Sequence, residues 1–165
     1  MPSQERNASA ASSSRRGVAE IVQSNSTVRP VAWVLAVDDQ PHVLSALRRL
    51  VEAAKNLQLV GEADSGEAAV SLVSDLRPHL VLMDIHMPGM GGIGAARSIK
   101  QVSPDTLVVL LSTTHPNELA SEAIESPADA IVWKGDLRTR LLDELWAQHV
   151  RGNGLDGFGP PQKTT

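Results

Sequence analysis

Residues 31–41 read VAWVLAVDDQP, and this stretch decides the fold. Val31 to Val37 is an unbroken apolar run, the pattern of a strand covered on both faces. Two carboxylates, Asp38 and Asp39, end the run, and Pro41 follows at a position suited to a helix start. Val43, Leu44, Leu47, Leu50 and Val51 then recur at helical spacing to near Ala54. A doubly buried strand that feeds directly into an amphipathic helix is the first half of a parallel crossover.

The unit repeats downstream. Leu57 to Gly61 reads as a strand and Gly66 to Leu76 as a helix with Ala69, Val70 and Val73 inward. Leu80 to Met83 and Ile93 to Val102 form a third pair, and Leu107 to Leu111 is the strongest strand in the chain, followed by a helix over Asn117 to Glu125. Ala130 to Trp133 is a short last strand, and the helix Leu137 to Val150 sets Leu141, Leu142, Leu145 and Trp146 on one face. Strands alternating with helices require parallel pairing and right-handed crossovers, which cover the sheet with helices on both sides. The expected fold is therefore an α/β, doubly wound, five-stranded parallel sheet. Functional groups in such a sheet gather at the carboxyl ends of the strands.

The repeating block spans residues 30–150. Before it, residues 1–29 are rich in Ser, Ala, Asn, Gln and Arg and are expected to be a disordered arm. After it, residues 151–165 carry four Gly and two Pro without periodicity and are expected to be a disordered tail. In 165 residues there is room for one domain with tails. The formal net charge of −4 lacks the basic footprint of a nucleic-acid binder, so no direct DNA binding is expected. The absence of cysteine excludes disulfides, thiolate nucleophiles and Cys-ligated zinc. No apolar run approaches the roughly 20 residues of a membrane span, and the N-terminus has no apolar signal core. A cytoplasmic protein without membrane contact is the expectation.

Three carboxylates fall at two strand ends: Asp38 and Asp39 after the first strand, Asp84 after the third. If these strands are neighbours, Asp39 and Asp84 face each other across one gap of about 5 Å and repel unless neutralised. Mg²⁺ suits this need, since it is held by one or two carboxylates, waters and phosphate oxygens. A lone Asp here would read as a helix cap, a role that Asp38 and Asp39 also fit; three at two strand ends favour the metal. Ser112 ends the fourth strand and Lys134 the fifth, placing a hydroxyl and an ammonium where they can meet a phosphoryl group. Taken singly, the serine would be a turn former and the lysine a solvated charge.

Together these residues resemble the receiver domains of bacterial response regulators. The resemblance rests on VDDQP, on VLMDIHMPGMGG, on VVLLS and on AIVWKGD, and it covers about Ala32 to Val150. It implies a flavodoxin-like (βα)5 domain with strand order 2-1-3-4-5. It also implies that Asp84 accepts a phosphoryl group from a sensor histidine kinase or phosphotransfer protein. Asp39 and Asp84 would ligate Mg²⁺ directly, Asp38 through water, and the His86 backbone carbonyl would add a ligand, while Ser112 and Lys134 hold the phosphoryl oxygens. Such catalysis is mostly alignment and charge stabilisation. The resemblance further implies a self-phosphorylating switch rather than a turnover enzyme, a downstream protein partner not named by the sequence, and a homodimer through the face of the fourth helix, fifth strand and fifth helix.

Several positions depart from the family pattern. Ile131 stands where many members carry a switching aromatic; Trp133 lies one pleat further on and is expected to pack. Thr113 occupies a usually small position, and Ser126 with Pro127 replaces Ala-Gly before the last strand. The glycines of Met90 to Gly94 predict a loose start to the third helix. His42, His79, His115 and His149 share no ligand spacing with one another or with His86. Two alternatives follow: a degenerate receiver acting as a binding module without phosphorylation, and a Mg²⁺-dependent phosphatase with Asp84 as nucleophile. The phosphatase lacks a carboxylate two residues after Asp84, where His86 stands.

Overall fold

The computed structural model describes residues 31–154. The arm expected over 1–29 lies outside the described residues, as do all but the first four residues of the tail expected over 151–165; of those four, Arg151 and Gly152 belong to the last helix rather than to a tail. Five parallel strands form one sheet in the order β2-β1-β3-β4-β5: β1 Ala32–Val37, β2 Leu57–Ala63, β3 Leu80–Asp84, β4 Leu107–Ser112 and β5 Ala130–Trp133. The helices are α1 Pro41–Ala53, α2 Gly66–Leu76, α3 Gly91–Val102, α4 Ser121–Ile124 and α5 Thr139–Gly152. This is the doubly wound parallel sheet that the strand–helix alternation predicts, in the flavodoxin-like order that the resemblance implies.

The central strands β3 and β4 are buried at every position, which is why they read as unbroken apolar runs. Alternate residues then divide between two cores. Val34, Ala36, Leu80, Leu82, Val109 and Leu111 pack with Leu47 and Val51 of α1 and Leu142 and Trp146 of α5. Leu35, Val37, Val81, Met83, Val108 and Leu110 pack on the opposite side with Ala69 and Val73 of α2 and Ala95, Ala96 and Ile99 of α3. The small residues of α3 let it lie close to the sheet. Gly92 is the extreme case, because a Cβ there would collide with the backbone of Asp84.

Three helices differ from expectation. The helix expected over Asn117 to Glu125 is a 3-10 turn, Pro116–Glu118, followed by the single turn of α4. Ala120 breaks the path with an extended backbone, and no side chain caps the helix that follows it. A 3-10 turn, Lys134–Asp136, also delays the last helix to Thr139, and that helix runs on to Gly152. Helix α3 starts at Gly91, two residues ahead of the Ile93 expected from the sequence, with no side-chain cap at Met90; the turn into it uses left-handed glycines, with φ of 82° at Gly89 and 66° at Gly91.

Candidate functional site

The register of β1 against β3 sets Val37 level with Met83. The next residue of each strand is an aspartate, so Asp38 comes level with Asp84. Both are buried, Asp38 completely and Asp84 at 5% exposure. Lys134 reaches over from the end of β5, and its Nζ lies 2.8 Å from Asp38 Oδ2 and 2.8 Å from Asp84 Oδ1. The other oxygen of Asp38 accepts from the Gln40 backbone N–H at 3.0 Å, closing a turn ahead of α1. Gln40, not an aspartate, holds the cap position, and it does so without a side-chain bond.

This geometry revises one detail of the sequence reading. The carboxylates joined through a common cation are Asp38 and Asp84, because the register aligns those two. Asp39 is exposed and makes no ion pair among the described residues. Nor, among those residues, do three or more His, Cys, Asp or Glu gather into a ready metal cage.

Two buried carboxylates share a single ammonium, so the pocket keeps an excess negative charge. Burial pushes the Asp84 carboxyl above its ordinary value; Lys134 and the His86 backbone N–H pull it back, while the charge of Asp38 adds to the rise. Burial also works against the Lys134 ammonium, but Asp38 and Asp84 outweigh it and hold that group above its usual range. The surplus charge is what a divalent cation neutralises, and the donors at hand are all hard oxygens. Asp38, Asp84, the nearby Asp39 and the carbonyl of exposed His86 therefore fit Mg²⁺, an ion that takes most of its remaining ligands from water and phosphate.

Ser112 stands at the end of β4, fully buried, yet its hydroxyl is turned into its own loop. It donates to the Thr114 carbonyl at 2.9 Å and accepts from the Thr114 N–H at 3.0 Å. The strand brings Ser112 to the acidic edge, as expected, but not in a phosphoryl-ready rotamer.

Two contacts at this edge escape sequence reasoning. Glu67, in the first turn of α2, accepts the Met90 backbone N–H at 2.9 Å; that bond holds its carboxyl below the usual value and ties α2 to the loop after Asp84. An acidic residue in a first helical turn is ordinary, so nothing in the sequence marks its reach across 23 residues. The Trp133 indole N–H donates to the Thr113 carbonyl at 3.3 Å, where only packing is expected from its position. Between α3 and the short α4 lies a cavity of about 510 Å³ lined in part by Ile85 and His86, the residues that follow Asp84, and by Arg97, Leu119 and Ala123.

A flavodoxin-like sheet with a lysine-bridged pair of aspartates at its carboxyl edge is the architecture of a receiver. The response regulator receiver domain model matches residues 34–145, and the chain belongs to that family of two-component signalling domains. It is 36% identical over 122 residues to the transcriptional regulatory protein YdfI of Bacillus subtilis, covering 74% of this chain and 56% of YdfI. It is 35% identical over 102 residues to the response regulator GacA of Pseudomonas aeruginosa, covering 62% of this chain and 48% of GacA. The signal receiver domain of the putative response regulator NarL from Mycobacterium tuberculosis superposes with a TM-score of 0.65 at 27% identity, covering 73% of this chain and 97% of that one. The chain spans about half the length of these curated relatives. Since one of them is a transcriptional regulator, the expectation of no direct DNA binding gains no support from them. Among the described residues no helix is long and apolar enough to cross a membrane.

Proposed function

We propose that this domain accepts a phosphoryl group on Asp84 from the phosphohistidine of a sensor kinase or phosphotransfer protein and thereby switches a partner-binding surface. The observation that carries this reading is the placement of Lys134 Nζ 2.8 Å from both Asp38 and Asp84. A carboxylate oxygen of Asp84 forms the new bond to phosphorus as the bond from phosphorus to the imidazole nitrogen breaks, and the imidazole leaves with the electron pair. Asp84 needs no general base, because its ionised form is already the nucleophile.

Lys134 is positioned to move from balancing two carboxylates to pairing with a transferred phosphoryl oxygen, a change that costs little reorganisation. Ser112 would add a hydrogen bond once its hydroxyl turns from Thr114. Asp38, Asp39, Asp84 and the His86 carbonyl would hold Mg²⁺, which supplies positive charge to the phosphoryl oxygens when bound. The affected surface would be that of α4, β5 and α5, reached through the loop after Ser112 and open to a downstream protein or a second copy of the chain.

Acetyl phosphate with Mg²⁺, followed by intact mass, tests the reading. A gain of one phosphate that disappears in Asp84→Ala is the expected result. No gain in the unaltered chain would leave a binding module without phosphorylation, and release of free phosphate from many equivalents of a generic ester would point to the hydrolase.

A further inference from the structure

We propose that Trp133 is the latch coupling phosphoryl binding at Ser112 to the position of the β4–α4 loop, a positioning role that rests on the receiver reading above. Ser112 and Trp133 are register partners on adjacent strands. From the end of β5 the indole leans back over the residues that follow Ser112, donating to the Thr113 carbonyl at 3.3 Å with its ring 5.6 Å from that of His115. The loop is thus held at consecutive residues: Thr113 by Trp133, and Thr114 by both hydrogen bonds of the Ser112 hydroxyl.

A hydroxyl has one proton to give. If Ser112 donates to a phosphoryl oxygen it must release the Thr114 carbonyl, keeping at most the bond it accepts from the Thr114 N–H, and the indole bond at Thr113 is the loop's other tie. A shift of the loop that follows Ser112 stretches the indole bond to Thr113, so that bond opposes the exchange. Ile131, the residue two earlier on β5, has no donor and packs among Leu119, Ala123 and Ala128 in the core beneath α3, so it offers no comparable hold. The loop leads into the single turn of α4, which borders the cavity of about 510 Å³ that Ile85 and His86 also line, so space lies next to it for a shift.

Gly135 supplies an independent handle on the same contact. A Cβ there would lie 2.5 Å from two carbon atoms of the indole ring, so even alanine must push Trp133 aside. Its φ is not left-handed, and alanine carries no backbone strain at this position.

The test uses the full chain with acetyl phosphate and Mg²⁺, following Asp84 phosphorylation by intact mass and tryptophan emission in parallel. Losing one hydrogen bond from the resting loop predicts phosphorylation about two- to tenfold faster in Trp133→Phe, and a similar gain in Gly135→Ala. The emission change that accompanies phosphorylation should vanish in Trp133→Phe, although Trp33 and Trp146 remain. Uptake of phosphate at the unaltered rate in both variants, or an emission change that survives in Trp133→Phe, overturns the latch and leaves the receiver reading intact. If the unaltered chain takes up no phosphate, the receiver reading fails and the latch falls with it.

Discussion

At the scale of single residues, the site is a charge imbalance. Asp38 and Asp84 are both buried against one lysine, and burial is the main reason that the Asp84 carboxyl sits above its ordinary value. The ionised form of Asp84 is therefore a burden on the folded state at neutral pH when no divalent cation is present. Neutralising Asp84 leaves Asp38 and Lys134 as a one-to-one pair, so the surplus buried charge is removed without orphaning the lysine. Asp84→Asn should raise the unfolding free energy by on the order of 1 kcal/mol in chelator at pH 7, measured by urea denaturation. A lower stability in Asp84→Asn would mean that the bond to Lys134 outweighs the cost of burial. Sequence alone reveals these three residues because each terminates a strand, and strand ends converge in a parallel sheet. It does not reveal which of Asp38 and Asp39 joins Asp84, since that depends on a register that no single strand encodes. The rotamer of Ser112 is equally silent, being chosen by a loop partner two residues away.

At the scale of elements, the strands were legible because a strand buried on both faces leaves a continuous apolar run, as β1, β3 and β4 do. The fourth helix was not. Leu119, Ala123 and Ile124 mimic a helical face, but Ala120 is extended and Pro116 and Pro127 bracket a segment too short to offset the cost of nucleating a helix. Capping also carries information that periodicity does not. Helix α2 ends at Arg77 in the left-handed conformation, with φ of 47° and its N–H bonded to the Val73 carbonyl. Glycine is the residue suited to that position. The left-handed conformation costs a side-chain-bearing residue about 1–2 kcal/mol, of which glycine's greater unfolded entropy returns roughly 0.5–1 kcal/mol. Arg77→Gly should therefore stabilise the domain by about 0.5–1 kcal/mol, visible as a rise in Tm. An unchanged or lower Tm would show that the exposed arginine makes compensating contacts.

At the scale of the whole molecule, the two ends of the sheet pull stability in opposite directions as pH falls. His79 lies at the amino end of β3, away from the acidic edge, where its Nδ1 accepts the Trp33 backbone N–H at 2.8 Å and its ring sits 5.8 Å from those of Trp33 and Trp146. Burial lowers its pKa from an ordinary 6.5, so the folded state prefers the neutral imidazole. Its contribution is complete above that ordinary value and is lost as pH falls through the depressed folded one. Protonating Nδ1 also removes the acceptor that Trp33 uses. Asp84 behaves oppositely: its folded pKa lies above an ordinary 3.8, so its stabilising contribution is complete below that value and is lost as pH rises through the folded one. Acidification therefore costs stability at one end of the sheet and relieves strain at the other, and the net curve is flatter than either group alone would produce. Asparagine at position 79 can accept the same N–H without titrating, so His79→Asn should remove the loss below pH 6.5, leaving the gain as Asp84 protonates opposed only at lower pH by exposed groups such as Glu67, whose carboxyl is held below its usual value. Asp84→Asn should do the reverse, exposing the full histidine loss and closing its lead over the unaltered chain as the pH drops. Urea denaturation at stepped pH in chelator separates the two, and a His79→Asn curve parallel to that of the unaltered chain would show that the acid response arises elsewhere in the fold.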